Sequence, residues 1–180
     1  MKSFNYHSAS TVAEATGLAS KASAYLSGGM TMIPSMKMRL ASYKDVIDVK
    51  KIKQLHGIKV SSTSVTIGAA TKHAEVAQSK EIKKAIPALC TLAGKIGDAQ
   101  VRNRGTLGGS IANNDPTACY PSACLALNAI IHTSERKIEA AKFFTGMFET
   151  ALKKGELIVA VEFSIPEKSS YIKFPNPASR

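Results

Sequence analysis

Apolar and polar positions alternate in short blocks along this chain, and the blocks switch between strand-like and helix-like spacing. Thr11-Val12-Ala13-Glu14 has the form of a capping box, in which the Thr hydroxyl and the Glu carboxylate satisfy free N–H groups reciprocally. It predicts a helix over residues 11–20, followed by a strand over residues 24–26. Pro34 suits the first turn of a helix, where its missing N–H costs nothing. Ile33, Met36 and Leu40 carry helical spacing, and residues 45–49 read as a strand. The resulting β–α–β–α–β succession over residues 1–55 predicts a small parallel sheet.

The pattern changes after His56. Residues 58–60 and 65–69 flank Ser61-Ser62-Thr63-Ser64 and predict a hairpin with alternating faces. Helical spacing follows over residues 73–79, 87–96 and 121–127. Strands are expected over residues 129–133 and 137–140. Gly155 is expected to end a short helix, and residues 157–165 alternate as a long strand stopped by Pro166. The fold class is therefore α+β: a small parallel lobe, then a larger lobe of helices and an antiparallel sheet. No internal repeat or low-complexity linker interrupts it.

Two glycine-rich turns carry the chemistry, Ser27-Gly28-Gly29-Met30-Thr31 and Gly105-Thr106-Leu107-Gly108-Gly109-Ser110. Backbone without side chains can bring several N–H groups against one anion, and the hydroxyls of Thr31, Thr106 and Ser110 add donors. Two such loops predict a site closed from both sides around a diphosphate. Neither fits a G-x-G-x-x-G or a G-x-x-x-x-G-K-[ST] fingerprint. Residues 97–116, including Asn113-Asn114-Asp115-Pro116, carry more polar information than a connecting loop requires.

Composition narrows the picture. The 180 residues are 44 % hydrophobic and 21 % charged, as in an ordinary globular chain. Such a chain buries about 70 % of the surface its unfolded form exposes. No apolar run has the length of a membrane span, and residues 1–7 lack a signal-peptide core, so a cytoplasmic location is expected. The net charge of +11 raises nucleic-acid binding. The lysines fall in separate groups with no interleaved aromatics, however, and read as solvated faces. Cys90, Cys119 and Cys124 lack the spacing of a zinc or iron–sulfur site and read as thiols in or near the core. His7, His56, His73 and His132 are scattered, and no metal is assigned to them.

Together with the first turn, residues 97–116 resemble the FAD-binding (medium) subunit of molybdenum hydroxylases, of the kind found in aerobic carbon monoxide dehydrogenase and xanthine dehydrogenase. Thr66-Ile67-Gly68-Ala69 with Thr71 and His73-Ala74-Glu75, residues 143–150, and residues 174–180 agree with it, so the similarity runs through the chain. The resemblance implies a two-lobed FAD fold like that of vanillyl-alcohol oxidase, with lobes over residues 1–55 and 56–177. Leu26, Ser27, Gly28, Gly29, Met30, Thr31, Met32 and Ile33 would wrap the pyrophosphate and flavin. Thr106, Leu107, Gly108, Gly109 and Ser110 would cover the pyrophosphate through main-chain amides, with Asn113 beside them. Ile96 and Ile158 would line the cofactor, Lys173 would contact it, and Cys119 stands where a hydroxyl-binding acid is usual.

The resemblance also implies an oxidoreductase subunit with no catalytic side chain of its own. Substrate would be oxidised on a molybdenum-cofactor large subunit. Electrons would arrive through an iron–sulfur small subunit and leave to a quinone or NAD. Met30 stands where Gln or His is common and Ala99 where proline is. Residues 178–180 are expected to begin a C-terminal domain that the chain does not contain. These departures support a second reading: a truncated, non-catalytic relative serving as an assembly or interaction module without stable FAD.

Overall fold

Three parallel strands, β1 (Asn5–Ser8), β2 (Ser23–Leu26) and β3 (Asp45–Asp48), form the first sheet in the order β1-β3-β2. The structure, a computed structural model describing residues 1–174, joins them through helices α1 (Val12–Gly17) and α2 (Met32–Lys37). The Thr11 hydroxyl accepts from Glu14 N at 3.1 Å, as a cap should. The Glu14 carboxylate returns one residue earlier than expected, taking both N and Oγ of Ser10 at 2.7 Å. The helix stops at Gly17 rather than near residue 20. Leu40, expected on the apolar face of α2, lies beyond its end and is 75 % exposed, because Arg39 at φ 62° turns the chain outward.

A 3-10 turn (Lys53–Leu55) leads to the second sheet, which has five antiparallel strands. They are β4 (Ile58–Val60), β5 (Ser64–Gly68), β6 (Ile130–Thr133), β7 (Lys137–Glu139) and, further on, β10 (Ile158–Ser164), in the order β4-β5-β10-β6-β7. Between β5 and β6 run α3 (His73–Gln78), α4 (Lys80–Ala85), α5 (Pro87–Gly94), α6 (Ala99–Arg104), α7 (Leu107–Asn113) and α8 (Cys119–Ala126). After β7 come α9 (Ala140–Phe143) and a hairpin of β8 (Phe144–Gly146) and β9 (Glu149–Thr150). Both the parallel and the antiparallel sheets expected from the pattern are present. Gly155 does not end a helix: it sits at φ 80° in the turn between β9 and β10, a left-handed position that glycine fills without strain.

The larger core lies between the five-stranded sheet and its helices, around Val65, Ile67, Leu92, Tyr120, Phe143 and Phe163, all nearly or wholly buried. Burying each such side chain contributes about 1.5–3 kcal/mol. A second cluster sits between the sheets, where Ala9, Ala15, Ile47, Val49, Ile52 and Leu55 meet Ala70 and Leu157. Polar ties reinforce this seam. Ala70 N donates to Leu55 O at 2.7 Å, and Tyr25 Oη donates to Gly155 O at 2.6 Å.

The turn that receives Tyr25 is set by Glu156. Its carboxylate accepts from Thr133 Oγ1 (2.6 Å), Arg136 Nε (3.0 Å) and Lys153 N (2.7 Å). Burial alone would raise its pKa, but these hydrogen bonds outweigh it and hold the carboxyl at about 2. Asn114, left-handed at φ 43°, caps α7 and donates through Nδ2 to Gly146 O and Glu149 O at 2.7 and 2.8 Å. The β8–β9 hairpin is thereby fixed beside the end of α7.

Candidate functional site

The two glycine turns meet across a cleft of ≈ 450 Å3 between the small parallel sheet and the helices of the larger one. That is within the usual range of about 300–1,000 Å3 for a small-molecule site. Gly28 is buried against the opposite lobe. A Cβ there would overlap the Arg104 carbonyl oxygen and come within 2.8 Å of Gly105 Cα, so only glycine allows this approach. Beside it, Ser27 Oγ and Thr106 Oγ1 share a hydrogen bond of 2.9 Å.

The first turn presents its amides. Among the described residues, no N–H from Ser27 to Met32 donates to a protein acceptor; the first engaged amide is Ile33 N, which reaches Gly29 O at 3.1 Å. Gly29 lies at φ 74°, between neighbours of ordinary hand, and an alternation of hand of this kind is the one found in anion-binding nests. Free backbone donors that border a cleft are available to a ligand.

The second turn is different, and here the expectation from sequence needs correcting. It joins α6 to α7, with Gly105 capping the end of α6 and Gly108 and Gly109 inside the first turn of α7. Leu107 N donates to Thr71 O (3.1 Å), Gly108 N to Ala69 O (2.8 Å), Gly109 N to Thr106 Oγ1 (3.2 Å) and Ser110 N to Thr106 O (3.0 Å). These amides are committed within the protein. The physical cause is docking: α7 packs against the end of β5, and a Cβ on Gly108 would meet Ala69 Cβ at 2.6 Å and Ala69 O at 2.8 Å. This turn offers the cleft the Ser110 side chain and the exposed edge of Gly109.

Of the residues singled out from sequence, Leu26, Ser27, Gly28, Gly29, Met30, Thr31, Met32, Thr106, Gly109, Ser110 and Asn113 line this one cleft. The others lie elsewhere. Ile33 stands behind Gly29 in α2. Leu107 is fully buried in the larger core, and Ile96 packs at that core's margin. Gly108 and Ile158 border a second, apolar cavity of ≈ 100 Å3. Cys119 opens α8 against the core, beside Tyr171. Lys173 Nζ donates to Lys95 O at 3.1 Å. Residues 175–180 lie outside the described residues.

Several lining residues were not singled out from sequence: Tyr25, Tyr43, His73, Val101 and Asp115. His73 and Asp115 each lay inside quoted segments, but nothing in their spacing marked them. Asp115 is the only carboxylate that lines the cleft among the described residues, and its Oδ1 accepts from Thr117 N (2.8 Å) and Oγ1 (2.7 Å). No Lys or Arg side chain lines it among those residues. An anion here would be met by dipoles rather than by a fixed cation.

The cleft thus sets a turn whose six amides have no protein acceptor among the described residues against hydroxyl side chains, within a mixed α/β fold. Residues 2–167 match the family model described as "FAD binding domain in molybdopterin dehydrogenase", and the chain belongs to that family. It is 37 % identical over 144 residues to the glyceraldehyde dehydrogenase medium chain of Sulfolobus acidocaldarius, covering 78 % of this chain and 51 % of that one. It is 34 % identical over 165 residues to the carbon monoxide dehydrogenase medium chain of Hydrogenophaga pseudoflava, covering 88 % and 58 %. The chain thus spans little more than half the length of these relatives.

Solved structures agree. A structure of carbon monoxide dehydrogenase from Hydrogenophaga pseudoflava superposes with a TM-score of 0.88 at 33 % identity, over 91 % of this chain and 60 % of that one. Quinoline 2-oxidoreductase from Pseudomonas putida 86 gives 0.89 at 28 % identity, over 93 % and 61 %. No helix among the described residues is long and apolar enough to cross a membrane.

Proposed function

We propose that this chain is the FAD-holding, electron-transferring part of a molybdenum-hydroxylase dehydrogenase. The row of unengaged amides at residues 27–32 carries this reading, because a diphosphate is the ligand group that such a row fits. In the proposal the first lobe, residues 1–55, grips the pyrophosphate through these N–H groups. The second lobe, residues 56–177, closes over it with Thr106, Ser110 and Asn113. Each charge-assisted hydrogen bond of this kind contributes about 1.5–3 kcal/mol. Asp115 accepts from a sugar hydroxyl, taking the part that an acid at position 119 would otherwise play.

When bound, FAD supplies the redox chemistry, accepting electrons and passing them on. The protein's own part is to hold, orient and shield it. Tyr25 and Tyr43 border the cleft with apolar ring faces, and Met30 and Met32 supply adaptable apolar contact. Substrate oxidation belongs to a molybdenum-cofactor large subunit, electrons arrive through an iron–sulfur small subunit, and they leave to a quinone or NAD.

Titrating FAD with the purified chain and following flavin fluorescence tests the reading. Saturable binding is expected, with ADP competing because it carries the same diphosphate. Flavin that stays free at high protein concentration, or binding that ADP does not disturb, would overturn it.

A further inference from the structure

His73 opens α3 at the back of the cleft and is 4 % exposed, yet it belongs to the cleft lining. Its backbone N–H donates to Gly105 O at 3.1 Å, which ties the start of α3 to the second turn. The ring brings its Nε2–Cδ2 edge against that turn: a Cβ on Gly105 would stand 2.6 Å from Nε2 and 2.9 Å from Cδ2. On its other side lies Tyr120, with ring centroids 5.4 Å apart and planes tilted by 39°. Nδ1 is buried and pairs with no protein group among the described residues.

A buried polar side chain without a partner calls for an explanation. Burial pushes the His73 pKa down to about 4, so the imidazole is neutral at ordinary pH and carries a single N–H. A buried N–H with no acceptor is rarer than an acceptor with no donor. The proton therefore belongs on Nε2, at the Gly105 edge, and not on the enclosed Nδ1. Gly105 in turn faces Gly28, where a Cβ would stand 2.8 Å from Gly105 Cα, and His73, Gly105 and Gly28 all line the cleft.

We propose that His73 is a further cofactor-binding residue, whose Nε2–H donates to a diphosphate oxygen of the bound dinucleotide from the side opposite the free amides. The inference rests on the FAD reading above and extends it to a residue that sequence did not mark. A neutral donor suits a wall that already lacks lysine and arginine, since it avoids desolvating a fixed charge. With the amides of Leu107 to Ser110 engaged, it adds a ring N–H to the hydroxyl and amide side chains of Thr106, Ser110 and Asn113 on the second lobe.

Two measurements test it. In the wild-type chain with 15N-labelled histidine, adding FAD should shift the Nε2 resonance of His73, whereas riboflavin, which has no phosphate, should leave it in place. In titrations, His73→Leu should weaken FAD about tenfold, the loss of one hydrogen bond to an anion. It should leave riboflavin affinity unchanged, and His73→Gln, which keeps an N–H donor, should recover most of the loss. A silent Nε2 resonance, unchanged FAD affinity in His73→Leu, or equal losses for FAD and riboflavin would overturn the assignment. If the wild-type chain takes up no FAD at all, the cofactor reading falls and this assignment with it. If the wild type binds FAD while His73 stays silent, only the assignment falls.

Discussion

Residues 27–31 and 105–110 both set paired glycines beside hydroxyl side chains, and both border one cleft. In the first turn the glycines shape a loop: Gly29 takes a left-handed φ of 74°, Gly28 lets the opposite lobe approach, and the amides between them stay unengaged. In the second turn, Gly108 is a helical residue pressed against Ala69, with its amide bonded to the Ala69 carbonyl. Adjacent glycines thus do unrelated jobs. At Gly28 and Gly29 the backbone amides are left without protein acceptors, and at Gly108 the missing side chain lets a helix dock on a strand end. The lobes contribute unequally as a result, main-chain donors from one and side-chain groups from the other.

The largest effect that can separate these roles is at Gly108. Valine there must displace the backbone of Ala69, not a flexible side chain, and overpacking of this kind costs about 3 kcal/mol. Gly108→Val should lower the urea midpoint sharply, with FAD binding lost only as the fold is lost. A variant that keeps its midpoint but no longer binds FAD would return Gly108 to the ligand-facing role that the sequence implied.

The sequence carried the fold further than the site. Both sheets were legible because β2 and β3, and β4, β5 and β10, have period-two or apolar patterns between turn residues, whereas β1 (Asn5–Ser8) carries neither. α4 escaped because Lys80-Glu81-Ile82-Lys83-Lys84-Ala85 offers one fully buried side chain, Ile82, and so no periodicity. α6 escaped because none of its residues is buried, although Asp98 caps it by accepting from Val101 N at 2.8 Å. The second turn looked like a loop because Gly-Gly is a poor helix former. The Thr106 cap and left-handed Asn114 define the helix instead. Of the site, the glycine-bearing wall could be read locally. His73 could not, because its role depends on Gly105 and Tyr120, which only the folded chain brings to it.

Gly109 sharpens the contrast, because it neighbours Gly108 yet faces the cleft. A Cβ there meets only Thr106 Oγ1, at 3.0 Å, so a small hydroxyl shift accommodates it. Alanine also gains up to about 1 kcal/mol of helix propensity over glycine. Gly109→Ala should therefore melt at or slightly above the wild-type temperature while FAD affinity falls about tenfold, close to 1.4 kcal/mol. Stability and affinity moving in opposite directions is the signature of a glycine kept for ligand approach. A fall in both would mean that Gly109, like Gly108, serves packing.

The smallest effect concerns the one side-chain hydrogen bond that joins the two turns, Ser27 Oγ to Thr106 Oγ1 at 2.9 Å. Single variants are ambiguous, since Thr106 also caps α7 through Gly109 N and its loss alone costs about 1 kcal/mol. A double-mutant cycle of Ser27→Ala with Thr106→Val removes that ambiguity, because the cap term cancels. The coupling in urea unfolding without FAD should be about 0.5–1 kcal/mol, the net worth of one neutral hydrogen bond. It should shrink with FAD present as the hydroxyls turn to the ligand. Coupling that FAD leaves unchanged would make this bond a fixed strut between the lobes, and the second wall would then meet the diphosphate without Thr106.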